Sequence, residues 1–240
     1  MNKPKAILFD AGDTIIEYIK NNPLEGTKKL LEKANNPDKV TAEEIQEYAI
    51  EMGRIFNNGR ETTGIEYNMR AFQRFLYEMH NIYFNLTPLE IENIFNKEAF
   101  KGKTMEGALE FLNYLEQNNI KKAILSNSTF SEEAIRTELR NYGIDPSRFE
   151  FVISTSEYGF RKPDKMIFQL ALKKLSLDNN QVWYIGNSFK YDIVGAQNAG
   201  IQAVWFNKQE NNVDIEKDNG DFLEVNSYKE IEDYLEDIIS

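Results

Sequence analysis

From about residue 104 onward, short apolar runs alternate with stretches of helical periodicity, and this alternation constrains the fold more than any other feature of the chain. The strand candidates are 121–126, 151–154, 182–186 and 202–206, and the helix candidates between them are 106–118, 131–141, 165–175 and 190–199. Alternation of this kind predicts a parallel sheet with helices on both faces. Residues 4–9 add an apolar strand that ends at Asp10. Gly143 and Gly200 follow two of the helices, where a left-handed stop costs glycine least. A last helix is predicted from the capping box Ser227–Glu230, with Ile231, Leu235 and Ile238 on one face. The Asn/Asp-rich stretch 207–221 before it reads as a loop.

From 16 to 100 no convincing strand is visible and helix punctuation recurs. Thr41-Ala42-Glu43-Glu44 and Thr87-Pro88-Leu89-Glu90 are capping boxes, the second with proline at the first helical position. Between them Met69, Phe72, Phe75, Leu76, Met79 and Tyr83 recur at helical spacing and read as core. The expected fold is an α/β, three-layer, Rossmann-like core of residues 1–15 and 101–240, with an all-helical cap of residues 16–100 inserted after the first strand.

Composition narrows the chemistry. The 240-residue chain has a net charge of −11, which disfavours nucleic acid or an anionic membrane as partner. No apolar run reaches membrane-spanning length, and the N-terminus passes almost directly into a strand, so a cytoplasmic protein without signal or anchor is expected. With no cysteine, thiolate catalysis and cysteine-held metals are excluded. His80 is the only histidine and sits in a helical pattern far from any nucleophile elbow, where it reads as a helix-surface residue. Chemistry falls to carboxylates, hydroxyls, lysine and a hard metal ion.

Four polar segments close apolar runs: Asp10-Ala11-Gly12-Asp13-Thr14, Ser126-Asn127, Arg161-Lys162-Pro163-Asp164, and Gly186-Asn187-Ser188 with Asp192 behind it. In an open parallel sheet, ligands bind beyond the carboxyl ends of the strands, so residues far apart in sequence converge there. A carboxylate such as Asp10 is a workable covalent nucleophile. The Ser126 hydroxyl can donate to an anionic oxygen, the Lys162 ammonium can neutralise one, and the oxygens of Asn187 and Asp192 suit Mg²⁺. Read singly, each has a plainer role: strand terminator, turn residue, solvated turn. Their order and spacing (116, 36 and 25 residues between Asp10, Ser126, Lys162 and Asn187) make the set specific.

Together these segments resemble the four motifs of the haloacid dehalogenase-like hydrolase superfamily, and the helical insert resembles that family's mobile cap. The resemblance implies Asp10 as nucleophile and metal ligand, with the Gly12 carbonyl and Asn187 as further ligands and Asp192 supporting the metal. It also implies that Ser126 and Lys162 hold the transferring group while Thr14 positions the loop. Two positions depart from the family's phosphatases. Gly12 stands where they carry a second aspartate that protonates the leaving oxygen, and Asn187 stands where they usually carry an aspartate, so weak Mg²⁺ binding is expected. Asp13 is adjacent, but its side chain leaves the loop in another direction. Leu125-Ser126-Asn127 resembles the dehalogenases, which also lack the second aspartate, and Asn127 is a candidate substrate contact. The expected activity is Mg²⁺-assisted hydrolysis of a small anionic phosphorylated metabolite. The alternatives are a metal-independent dehalogenase-like hydrolase and a binding or regulatory module. Arg54, Arg60 and Arg70 in the insert are candidates to reach a substrate's anionic tail. Nothing in the sequence selects an oligomeric state.

Overall fold

The computed structural model describes residues 2–208 and 220–239. Strand β1 (Ala6–Phe9) leads into β2 (Ile16–Asn21) and then the insert, made of α1 (Pro23–Leu31), β3 (Ala34–Asn35), α2 (Ala42–Thr63), α3 (Met69–Glu78), β4 (Tyr83–Phe84) and α4 (Pro88–Ala99). The chain returns through β5 (Phe100–Thr104) and alternates α5 (Ala108–Gln117), β6 (Lys121–Ser126), α6 (Glu132–Asn141), β7 (Val152–Ser154), α7 (Lys165–Leu175), β8 (Val182–Gly186), α8 (Val194–Asn198), β9 (Gln202–Phe206), β10 (Phe222–Val225) and α9 (Tyr228–Ile239). Most of the Asn/Asp-rich stretch read as a loop, residues 209–219, lies outside the described residues.

Six strands form one parallel sheet in the order β10-β9-β8-β1-β6-β7. Its two faces bury different residues of the same strands, as period-two alternation requires. Ile7 and Phe9 of β1 face a layer that includes Phe111 and Leu115 of α5, Leu139 of α6 and Leu235 of α9. Ala6 and Leu8 face the opposite layer, with Phe168 and Ala171 of α7 and Ala196 of α8. This is the expected three-layer α/β core. All four β1 side chains are inaccessible to solvent, and burying a side chain the size of Leu8 or Phe9 stabilises by roughly 1.5–3 kcal/mol. Gly143 and Gly200 both adopt positive φ, at 81° and 72°, in the helix-stop role expected of them.

The insert is mainly helical, and both of its capping boxes form: the Thr41 and Thr87 hydroxyls accept from the amides of Glu44 and Glu90, whose carboxylates return to the threonine amides. Two antiparallel ribbons, β2–β5 and β3–β4, correct the expectation of a strand-free stretch. Residues of β2 beyond Ile16 are mostly exposed and show no apolar alternation; the strand exists because β5, distant in sequence, supplies its hydrogen bonds. The Met/aromatic stripe is also corrected. Phe72 and Leu76 are buried in the insert's own cluster with Leu30, Ile45, Tyr77 and Ile82, whereas Phe75, Met79 and Tyr83 are exposed. Helix α3 ends at Glu78, so the assumed stripe spans more turns than the helix has. His80 sits half-buried beyond α3, with Nδ1 2.7 Å from the Leu76 carbonyl and its ring edge-on to Tyr48. Among the described residues, no helix is long and apolar enough to cross a membrane.

Candidate active site

The strand order reverses direction at β1. From there the chain adds β6 and β7 on one side and β8, β9 and β10 on the other, and the crevice beyond the carboxyl ends of β8, β1 and β6 is the switch point of the sheet. Asp10 stands just past β1, its amide donating to the Ile185 carbonyl at 2.9 Å. Ser126 is the last residue of β6, and Asn187 follows β8 directly. Lys162 arrives from the loop between β7 and α7.

The turn containing Lys162 is not solvated. The residue is 1% exposed, and its ammonium donates to Asp10 Oδ1 at 2.7 Å, Asp192 Oδ1 at 2.5 Å and the Tyr184 hydroxyl at 2.7 Å. Burial alone would lower its pKa, but the charges of Asp10 and Asp192 hold it above the ordinary lysine value. Burial raises the pKa of Asp10; Lys162 opposes this and Asp192 adds to it, with a net upward shift. Asn127 clamps the lysine backbone from both sides, accepting from the Lys162 amide at 2.8 Å and donating to its carbonyl at 3.0 Å. Asn127 thereby positions Lys162.

Asp192 is engaged at both oxygens. Oδ1 accepts from Lys162 and Tyr184, and Oδ2 accepts from the Ser188 amide at 2.8 Å. A Cβ on Gly186 would lie 2.4 Å from Asp192 Cγ, so the close approach requires glycine. Asp192 thereby supports the lysine and the β8 loop. Tyr184 also contacts the Leu125 carbonyl at 2.9 Å, tying β8 to β6 beneath the crevice. The sequence reading missed it, because a tyrosine inside an apolar strand reads as core.

Among the described residues there is no group of three or more His, Cys, Asp or Glu side chains that could hold a metal. The oxygens the sequence singled out, of the Asp10 carboxylate, the Gly12 carbonyl and the Asn187 side chain, are hard donors of the kind Mg²⁺ takes. The buried cluster sets one ammonium against two carboxylates, and this surplus negative charge suits a cation. The Asn187 backbone is held by the Trp205 indole, which donates to its carbonyl at 3.0 Å.

Beside Asp10, the space a side chain at Gly12 would take is filled from elsewhere. A Cβ on Gly12 would meet Tyr18 Cε2 at 3.0 Å. The Tyr18 hydroxyl donates to Glu138 Oε2 at 3.1 Å, and its amide donates to Asp13 Oδ1 at 3.1 Å. Asp13, at φ 51°, thus uses its carboxylate to close the turn. Thr14 is fully buried, and its carbonyl accepts from the Tyr228 hydroxyl at 2.8 Å.

Glu138 lies behind Tyr18, 8% exposed, and burial raises its pKa to about 7 against hydrogen bonds from Tyr18 and Asn96. A carboxyl whose folded pKa is raised contributes stability that is complete below its unfolded value and lost as pH climbs through the folded one. Stability should therefore fall between about pH 4.5 and 7 by on the order of 2–3 kcal/mol from this residue. Glu138→Gln should flatten that part of the curve, as measured by urea unfolding at pH 5 and pH 8.

The arginines expected to reach a substrate are placed elsewhere. Arg60 donates to buried Glu66 at 3.1 Å, and Arg70 to buried Glu92 at 2.6 Å and the Ser131 hydroxyl at 2.8 Å. Both guanidiniums answer internal carboxylates. Arg54 is exposed on α2.

A family model described as haloacid dehalogenase-like hydrolase matches residues 7–206. The pyrimidine 5′-nucleotidase YjjG of Escherichia coli is 26% identical over 209 residues, covering 84% of this chain and 85% of that protein. A glyceraldehyde 3-phosphate phosphatase of Pyrococcus furiosus is 24% identical over 250 residues, covering 98% and 90%. The crystal structure of a 2-haloacid dehalogenase from Pseudomonas syringae superposes with a TM-score of 0.67 at 18% identity, covering 98% and 99%, a likeness of fold.

Proposed function

The chain belongs to the haloacid dehalogenase-like hydrolase family, and from that premise we propose that it is a phosphohydrolase, transferring the phosphoryl group of a small phosphorylated metabolite to Asp10 and then to water. The observation that carries this reading is the buried Lys162–Asp10 contact at the sheet's switch point, with the Ser126 hydroxyl on the neighbouring strand end. Phosphoryl transfer is mainly positioning and charge neutralisation, which these groups supply. The nucleotidase and phosphatase names of the two relatives support a small phosphate ester as substrate.

In the first step an Asp10 oxygen bonds to phosphorus while the bond to the leaving oxygen breaks, the leaving group taking the electron pair. Water then attacks phosphorus, the bond to Asp10 breaks, and inorganic phosphate departs. Lys162 holds the carboxylate and balances charge on the transferring group; Ser126 donates to a phosphoryl oxygen. Magnesium, held by Asp10, the Gly12 carbonyl and Asn187, would neutralise phosphoryl charge, and the neutral amide of Asn187 makes its binding weak. Gly12 donates no proton and Tyr18 covers it, so the leaving group departs as an anion. Aryl phosphates, acyl phosphates and phosphoric anhydrides meet that condition best.

Hydrolysis of p-nitrophenyl phosphate with Mg²⁺ and with a chelator tests the reading. Turnover with Mg²⁺ alone is expected. Silence toward aryl and acyl phosphates would overturn it; halide release from a 2-haloacid without metal would then point to dehalogenation, and ligand binding without turnover to a binding module. The leaving-group argument has its own test. Gly12→Asp/Tyr18→Ala should raise turnover of an alkyl phosphate about 100-fold relative to p-nitrophenyl phosphate, the low end of the usual range for a positioned acid. Gly12→Asp alone should gain less, since the Tyr18 ring must yield to admit the new side chain.

A further inference from the structure

Near the catalytic residues, three donors from the core converge on one carboxylate from the insert. Glu61, in the last turn of α2, receives Arg161 Nη1 at 3.0 Å and the Tyr191 hydroxyl at 2.8 Å on Oε1, and Lys190 Nζ at 2.9 Å on Oε2. Arg161 directly precedes Lys162, while Lys190 and Tyr191 lie between Asn187 and Asp192. The donors come from the two segments that build the site.

Contacts other than Glu61 hold Arg161 in place. The Arg161 side chain is 7% exposed, its guanidinium lies 4.9 Å from the centre of the Tyr191 ring, and its backbone amide donates to the Gly64 carbonyl at 3.2 Å. Arg161 is also 3.5 Å from Glu66, a carboxylate that Arg60 already answers. Glu61, by contrast, is about half exposed. Hydrogen bonds from Lys190, then Tyr191 and Arg161, pull its pKa down to about 2. In a chain with a net charge of −11, such a concentration of donors on one exposed carboxylate has the chemistry of oxyanion recognition.

We propose that Arg161, Lys190 and Tyr191 form an oxyanion-binding cradle that Glu61 fills in the ligand-free protein and that a carboxylate or phosphate of a small molecule takes over. A half-exposed carboxylate is rehydrated when it leaves, which offsets part of the hydrogen bonding it gives up, and the incoming anion restores the rest. The claim concerns binding and holds whether or not Asp10 accepts a phosphoryl group.

Succinate, which carries no phosphoryl group, is the probe. Calorimetric titration of the full chain should show succinate binding Glu61→Gln at least about tenfold more tightly than wild type, because the resident anion is gone. Glu61→Gln/Lys190→Gln should lose that gain; both substitutions are at exposed positions outside the catalytic set, so folding is preserved. Aryl phosphate turnover in Glu61→Gln identifies the source of the oxyanion. Succinate raising KM alone marks the substrate's own second anion, and succinate altering kcat marks a separate small acid. Equal succinate affinity in wild type and Glu61→Gln, or a gain indifferent to Lys190, would overturn the cradle and leave Glu61 as a clasp between insert and core.

Discussion

Lys162→Met should lower the melting temperature by on the order of 10 °C and abolish turnover. The variant leaves Asp10 and Asp192 buried near one another without the ammonium that contacts both. Removing one partner of a buried ion pair costs about 3–5 kcal/mol, and a chain of this size loses about 2–4 °C per kcal/mol. The deficit has a definite pH dependence. Without the lysine, burial and the neighbouring carboxylate raise the Asp10 pKa unopposed, so the gap to wild type should narrow as pH falls toward 5. Thermal unfolding of both proteins at pH 5 and pH 8 measures it. A gap independent of pH would mean that lost packing, not unbalanced charge, is responsible.

Asp10→Asn should do the reverse: a folded protein with turnover reduced by about 10⁴-fold or more, the order expected when a nucleophile is removed. Lys162 keeps Asp192 and Tyr184 as partners, and the cluster's surplus negative charge disappears. Melting should stay level or rise slightly. The comparison separates the two roles, since Lys162 serves both fold and chemistry while Asp10 is maintained at some cost to stability. An Asp10 carboxylate that opposes stability fits its raised pKa, which burial produces and Asp192 reinforces against the pull of Lys162.

Much of the core was legible because its signals are local. Strand–helix alternation, glycine stops at Gly143 and Gly200, and the threonine capping boxes depend on neighbours a few residues apart. What escaped depends on partners distant in sequence. Nothing in Ile16–Asn21 marks a strand until Phe100–Thr104 lies beside it. Arg60 and Arg70 read as candidates for a substrate's anionic tail, and nothing local in the sequence marks Glu66 and Glu92, the buried carboxylates they contact. Lys162 looks like part of a surface turn, and only the convergence of Asp10, Asp192 and Tyr184 from separate segments takes it out of water. The candidate site was legible by residue type and order. The work of Asn127 on the lysine backbone and the closure of Gly12 by Tyr18 were not, because each depends on contacts that form only in the fold.

The most direct test of the account is to quench the protein in acid during p-nitrophenyl phosphate turnover with Mg²⁺ and examine the peptide containing Asp10 by mass spectrometry. A single phosphoryl group is expected on that peptide in the wild type and none in Asp10→Asn. Turnover with no phosphorylated peptide, and with Asp10→Asn as active as wild type, would contradict it.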